Sequence, residues 1–173
     1  MEQVYLAAGT MAGAQARVEA LVREYQVKLA RYVRRMVGDA DVALDITQDV
    51  FFSAYRTLQK DPTRPLTGGW LYKTATNSSI SFLRRRKIVR FLSLDRDREN
   101  GGLRLDERSA ASIDLQDAMS HLPADQASAI MLTTYAGYSS QEAAAMLGTT
   151  ADAVRQRVCR ATRALRAAMT EDG

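Results

Sequence analysis

SSQEAAAMLGTTADAVRQRVCRATRAL, running from Ser139 to Leu165, is the stretch that decides the fold. Ser139 followed three residues later by Glu142 is a capping box. The hydroxyl accepts from one unpaired backbone N–H, the carboxylate accepts from another, and a helix starts. Ala143, Ala144, Met146 and Leu147 supply that helix with a buried side, and Gly148 suits the left-handed turn that ends it. Residues 149–152 then lead into a second helix. On a wheel of about 100° per residue, Val154, Val158, Ala161 and Leu165 fall within roughly 60° of one another. Small Ala144, turn residue Gly148 and apolar Val154 fit a helix-turn-helix, in which two helices touch closely before crossing. The other side of the second helix carries Asp152, Arg155, Gln156, Arg160, Arg163 and Arg166. Such groups pair with guanine edges or neutralise phosphates. An amphipathic helix with a merely solvated basic face would need neither the box nor the turn in front of it.

Outward from this motif the helical habit continues. Residues 114–170 break only at Leu122-Pro123, Gly137 and Gly148. Before them, 91–113 is charged, has no sustained period and contains Asn100-Gly101-Gly102, which reads as an interdomain linker. Residues 16–90 form a second unit. Val18, Leu21, Val22, Tyr25, Leu29, Tyr32, Val33 and Met36 recur at helical spacing, then Ile46, Val50, Phe51, Ala54 and Leu58 do the same. A breaker segment, 61–69, separates these from a third helix expected from Trp70 to about Arg86. Residues 1–15 are small and weakly patterned and are expected to form a disordered extension. The expectation is an all-α chain: two small helical domains joined by a flexible linker, the C-terminal one a helix-turn-helix.

The formal charge of +4 suits a polyanionic partner without naming one. Its distribution says more. Basic residues crowd at Arg84-Arg85-Arg86-Lys87 and along Arg155 to Arg166, whereas Asp39, Asp41, Asp45 and Asp49 gather elsewhere. One cysteine, Cys159, excludes an internal disulfide, and with a single histidine leaves no zinc-ligand set. No metal or other cofactor is expected. No apolar run reaches the length of a membrane span and no signal pattern opens the chain, so the expected location is the cytoplasm, with no membrane insertion.

Asp45, Gln48, Asp49 and Phe52 stand at i, i+3, i+4 and i+7, one stripe opposite the apolar side of their helix. No substrate-binding groups accompany the carboxylates. A solvated face and a protein-docking face both fit, and Phe52 among the acids favours docking. The third helix offers Trp70, Tyr72, Lys73, Thr76 and Asn77 before the arginine run. Aromatics interleaved with amides and cations suit single-stranded DNA, since rings stack on bases while cations follow phosphates. Trp70 also fits a core position.

Together, Asp45-Ile46-Thr47-Gln48-Asp49-Val50-Phe51-Phe52, Trp70-Leu71-Tyr72-Lys73-Thr74-Ala75-Thr76-Asn77 and Leu83-Arg84-Arg85-Arg86 resemble region two of the extracytoplasmic-function sigma factors. Leu122-Pro123, Tyr138-Ser139, Gln141-Glu142-Ala143-Ala144, Leu147-Gly148, Val154-Arg155, Arg157 and Arg160-Ala161 resemble region four of the same family. The resemblance implies a non-enzymatic subunit of bacterial RNA polymerase that directs promoter-specific initiation. It implies region two at 16–90 and region four at 114–170. By the same resemblance Asp45, Gln48, Asp49 and Phe52 dock on the clamp helices of the largest polymerase subunit. Arg64, Trp70, Tyr72, Lys73, Asn77, Arg84 and Arg85 then meet the −10 element. Ser139, Ala151, Arg155, Gln156, Arg157, Arg160 and Arg163 meet the −35 element, with region four near the polymerase flap. An anti-sigma protein is a further implied partner. The sequence departs from the family pattern at Ser81, where many relatives are acidic, and at Cys159, where a small residue is usual. Two other readings stay open on the residues alone: a dimeric helix-turn-helix regulator that needs no polymerase, and a DNA-targeted enzyme, which would need a carboxylate pocket not apparent here.

Overall fold

Few prolines and many Ala, Leu and Arg leave the backbone little reason to depart from helix. The computed structural model describes residues 2–92, 115 and 118–171, and all regular structure among the described residues is helical. The first helix, α1 (Glu2–Val37), ends at Gly38, whose φ of 80° and N–H bond to the Arg34 carbonyl (2.9 Å) close the last turn. Asp39 caps α2 (Ala40–Lys60) by accepting from the Val42 N–H at 3.0 Å. Ile46, Val50, Phe51, Ala54 and Leu58 point inward from α2, as their spacing predicts. The first four meet Leu29, Val33 and Met36 of α1 and Leu71 and Ala75 of α3 (Gly68–Leu92). Each fully buried Leu or Val contributes roughly 1.5–3 kcal/mol, so this three-helix core supplies most of the first bundle's stability.

Two boundaries differ from expectation. Residues 2–15, expected to form a disordered extension, fall within α1, which starts at Glu2, and Ala14 is buried. Ala7, Ala8, Ala12 and Ala14 are strong helix formers, and a helix already nucleated by packing adds one hydrogen bond per residue as it lengthens. Similarly, α3 begins at Gly68 and runs past Arg86 to Leu92, because nothing there breaks it. Of the expected linker, residues 91 and 92 are helical and 93–113 lie outside the described residues.

The second bundle has α4 (Ala124–Ile130), which continues into a π-helical stretch (Met131–Tyr135), then α5 (Ser140–Leu147) and α6 (Ala151–Glu171). The wide turn ends with the Ala136 N–H on the Met131 carbonyl (2.9 Å) and the Tyr138 N–H on the Leu132 carbonyl (3.0 Å), Gly137 taking φ 81°. Ala127, Leu132, Ala143, Ala144, Val154 and Ala161 fill the space between these helices.

The capping box forms as expected. Ser139 Oγ accepts from the Glu142 N–H (3.2 Å), and Glu142 Oε2 accepts from the Ser139 N–H (2.8 Å) and hydroxyl (2.7 Å). Gly148 closes α5 at φ 64°. The Ser139 hydroxyl first, and its backbone N–H second, hold the Glu142 carboxyl below the ordinary glutamate range. The folded state therefore keeps the charge more readily than the unfolded one. Its contribution is complete above the ordinary glutamate range and lost as pH falls through the depressed value. Ser139→Ala should lower the melting temperature by a few degrees at neutral pH and by less in acid; calorimetry across that range checks it.

The two bundles touch. The Tyr135 ring lies 6.2 Å from that of Tyr32, and the Tyr138 ring stands 5.7 Å from that of Tyr72 at an interplanar angle of 69°. The Arg35 guanidinium covers Tyr135 at 5.0 Å, and Met146 approaches Gly69. Burial, followed by the neighbouring Tyr72, pushes the Tyr138 hydroxyl up to about 12.

Candidate nucleic-acid interface

Three exposed faces result from this packing. On α2, Asp45, Gln48, Asp49 and Phe52 all face solvent, as the sequence stripe requires. Phe52 is 59% exposed, and the Arg56 guanidinium sits 5.9 Å from its ring centre. An open groove of about 470 Å³ runs beside this stripe, lined by Val18 of α1 with Gln48, Asp49, Phe51, Phe52 and Tyr55. Leu44, 53% exposed, extends the same stripe one turn back. Sequence reading missed it, although its spacing of four from Gln48 and eight from Phe52 was available.

The second face lies on α3. Lys73, Asn77, Ser81, Arg84 and Arg85 are exposed, and the first four recur at intervals of four, four and three, one side of a helix. Trp70 stands at the head of this stripe and is half-buried. Tyr72 does not belong to it, contrary to expectation. Its spacing matches Ala75, Thr76 and Ser79, which are buried, and its own exposure is 9%. The ring meets Tyr32 edge-on at 5.0 Å and Tyr138 at 5.7 Å. Burial raises its hydroxyl pKa, and in this arrangement Tyr32 and Tyr138 cover the ring. Arg64 projects from the loop before α3 and is exposed.

The third face is on α6. Thr150 starts this helix, its hydroxyl oxygen accepting from the Ala153 N–H at 3.2 Å. Ala151 is half-buried at the first turn, while Arg155, Gln156, Cys159, Arg160 and Arg163 face solvent. Arg155 pairs with Asp152 along the helix. Arg157 departs from expectation: it turns towards α4 and pairs with Asp125 at 3.2 Å, so it braces the bundle instead of reaching outward. Ser139 is exposed, but its hydroxyl is engaged in the cap. Among the described residues no group of His, Cys, Asp and Glu could hold a metal ion, and no helix is long and apolar enough to cross a membrane.

Fold and faces thus define a two-domain, all-helical DNA-binding protein with a helix-turn-helix at its C-terminal end. Comparison with known proteins makes this specific. Residues 21–88 match the family Sigma-70 region 2, and residues 112–165 match Sigma-70, region 4. The chain is 31% identical to the ECF RNA polymerase sigma factor SigL of Mycobacterium tuberculosis over 173 residues, covering 95% of this chain and 96% of SigL. It is 31% identical to the ECF RNA polymerase sigma factor SigE of Mycolicibacterium smegmatis over 84% of this chain, and spans 59% of that longer protein. Among solved structures, CnrH in complex with the cytosolic domain of CnrY aligns with a TM-score of 0.66 and 29% identity, over 98% of this chain and 97% of CnrH. The chain belongs to the extracytoplasmic-function sigma factors, the subunits that direct RNA polymerase to promoters.

Proposed function

We propose that the three faces divide the work of promoter-specific initiation. The α2 stripe (Asp45, Gln48, Asp49 and Phe52, with Leu44) fastens the chain to the polymerase core at the clamp helices. An exposed aromatic on a polar, partly acidic stripe is what a specific protein contact uses and what a solvated face avoids. The α3 stripe and Arg64 take the −10 element as single strand. There Trp70 offers a ring, Asn77 an amide and Lys73, Arg84 and Arg85 cations. The α6 face reads the −35 element as duplex, through Arg155, Gln156, Arg160 and Arg163 in the major groove. The chain acts in the cytoplasm and has no catalytic step of its own. An anti-sigma protein is a further class of partner; the similar protein CnrH is seen in complex with the cytosolic domain of CnrY.

The observation that carries this reading is the separation of surfaces. An acidic, aromatic face on α2 and two basic faces on α3 and α6 are all solvent-exposed in one chain. A dimeric regulator has no use for the α3 stripe. The test is reconstitution with core polymerase on a randomised promoter library. Transcription that requires both the chain and paired −35 and −10 sequences is expected. A tight footprint by the free chain on paired duplex half-sites, with no stimulation of core polymerase, would overturn the reading.

A further inference from the structure

The loop joining α2 to α3 has a defined shape. Asp61 ends α2 with its N–H on the Thr57 carbonyl (3.0 Å), and its carboxylate accepts from the Thr63 N–H (3.0 Å) and hydroxyl (2.6 Å). The Arg64 N–H closes a turn on the Asp61 carbonyl at 3.2 Å. Thr67 then receives the first turn of α3, its carbonyl accepting from the Leu71 N–H at 3.2 Å. Gly68 lies so close to Tyr25 that a Cβ there would stand 2.7 Å from the ring. From α1, the Arg17 guanidinium donates one nitrogen to the Pro62 carbonyl and the other to the Arg64 carbonyl (2.8 Å). Asp61, Thr63, Arg64, Pro65 and Thr67 are exposed.

We infer that Arg17 is a positioning residue for −10 recognition, its two-carbonyl grip fixing the loop 61–67 in the shape that presents Thr63 and Arg64 to DNA. The inference rests on the proposed reading of this loop and α3 as the −10 surface. Three observations carry it. A guanidinium is a planar fork, and here both tines are taken by main-chain oxygens two residues apart. The bonds go to carbonyls, so the grip does not depend on which side chains the loop displays. Arg17 itself is exposed and outside the buried core, so its loss acts on the loop and not on the bundle.

The experiment uses holoenzyme reconstituted with Arg17→Ala, Arg17→Lys, Thr63→Ala or Arg64→Ala. Open-complex formation is measured on a preferred promoter and on single-base variants of its −10 element, with core affinity and thermal unfolding in parallel. Arg17→Ala should cut discrimination among −10 variants about tenfold, the loss of a charged two-bond contact, with core affinity and melting near wild type. Arg17→Lys should fall between, because an ammonium satisfies one carbonyl without bridging two in plane. If Thr63→Ala or Arg64→Ala shifts the −10 preference while Arg17→Ala leaves it intact, the positioning role is wrong and the loop reading stands. If neither loop substitution shifts the preference, the loop reading fails, and the inference with it. Equal losses of core affinity and discrimination in Arg17→Ala would also overturn it.

Discussion

Phe52→Ala should weaken binding of the chain to core RNA polymerase by about thirtyfold, or ~2 kcal/mol, with its melting temperature close to wild type. Nothing in the fold needs this ring: it is 59% exposed and its neighbours on the stripe are Gln48, Asp49 and Arg56. A large ring left in water at the centre of a polar stripe is the usual anchor of a protein contact, since its burial on docking is the gain. The preceding residue is the internal control. Phe51 is 8% exposed and belongs to the core, so Phe51→Ala should cost about 3–5 kcal/mol of stability instead. Asp49→Arg should act like Phe52→Ala, by putting a cation where the stripe offers an anion. Titration of labelled chain with core enzyme, beside thermal melts, separates the two phenylalanines. Core affinity unchanged by both Phe52→Ala and Asp49→Arg would remove α2 from the docking role.

Arg160→Ala and Arg157→Ala, three residues apart on α6, should fail in different ways. Arg160 is exposed on the outward face, and its removal should cost about 1–3 kcal/mol of discrimination at one position of the −35 element. Arg157 pairs with Asp125 across the bundle at 3.2 Å, its side chain more covered than that of its partner. Arg157→Ala should lower stability by up to about 1 kcal/mol and leave −35 preference in place. Selection of −35 sequences with each variant holoenzyme, and melts of each free chain, give both readouts. Loss of −35 preference in Arg157→Ala at unchanged stability would contradict the observed pairing. Unchanged preference in Arg160→Ala would mean that another face of α6 meets the groove.

The helix-turn-helix was legible because its signals are local. A capping box four residues wide and a glycine at the end of eight helical residues specify their own geometry. The α2 stripe was legible for a similar reason: apolar and polar faces differ sharply, so four exposed positions could be picked by spacing alone. The third helix hid its register. Thr76 and Ser79 are buried on the same side as Tyr72, whereas half-buried Trp70 heads the exposed side, so polarity does not mark the faces. Tyr72 was therefore placed outside when it belongs within. Arg157 and Arg17 were illegible in another way. Their partners lie 32 residues away at Asp125 and at least 45 residues away in backbone carbonyls, and a carbonyl leaves no trace in sequence. The length of α1 was missed because weak patterning was read as lack of structure, when alanine content and cooperative extension suffice for helix.

The contact between the bundles, made by Tyr135 and Tyr138 against Tyr32 and Tyr72, has a mechanical consequence. Leu29, Leu71, Leu132 and Val154 belong to one continuous buried cluster that runs from the first bundle into the second. Parting the bundles would therefore wet buried aliphatic surface along with the rings, so the aromatic seam resists separation. While that contact lasts, α3 and α6 are held at one spacing.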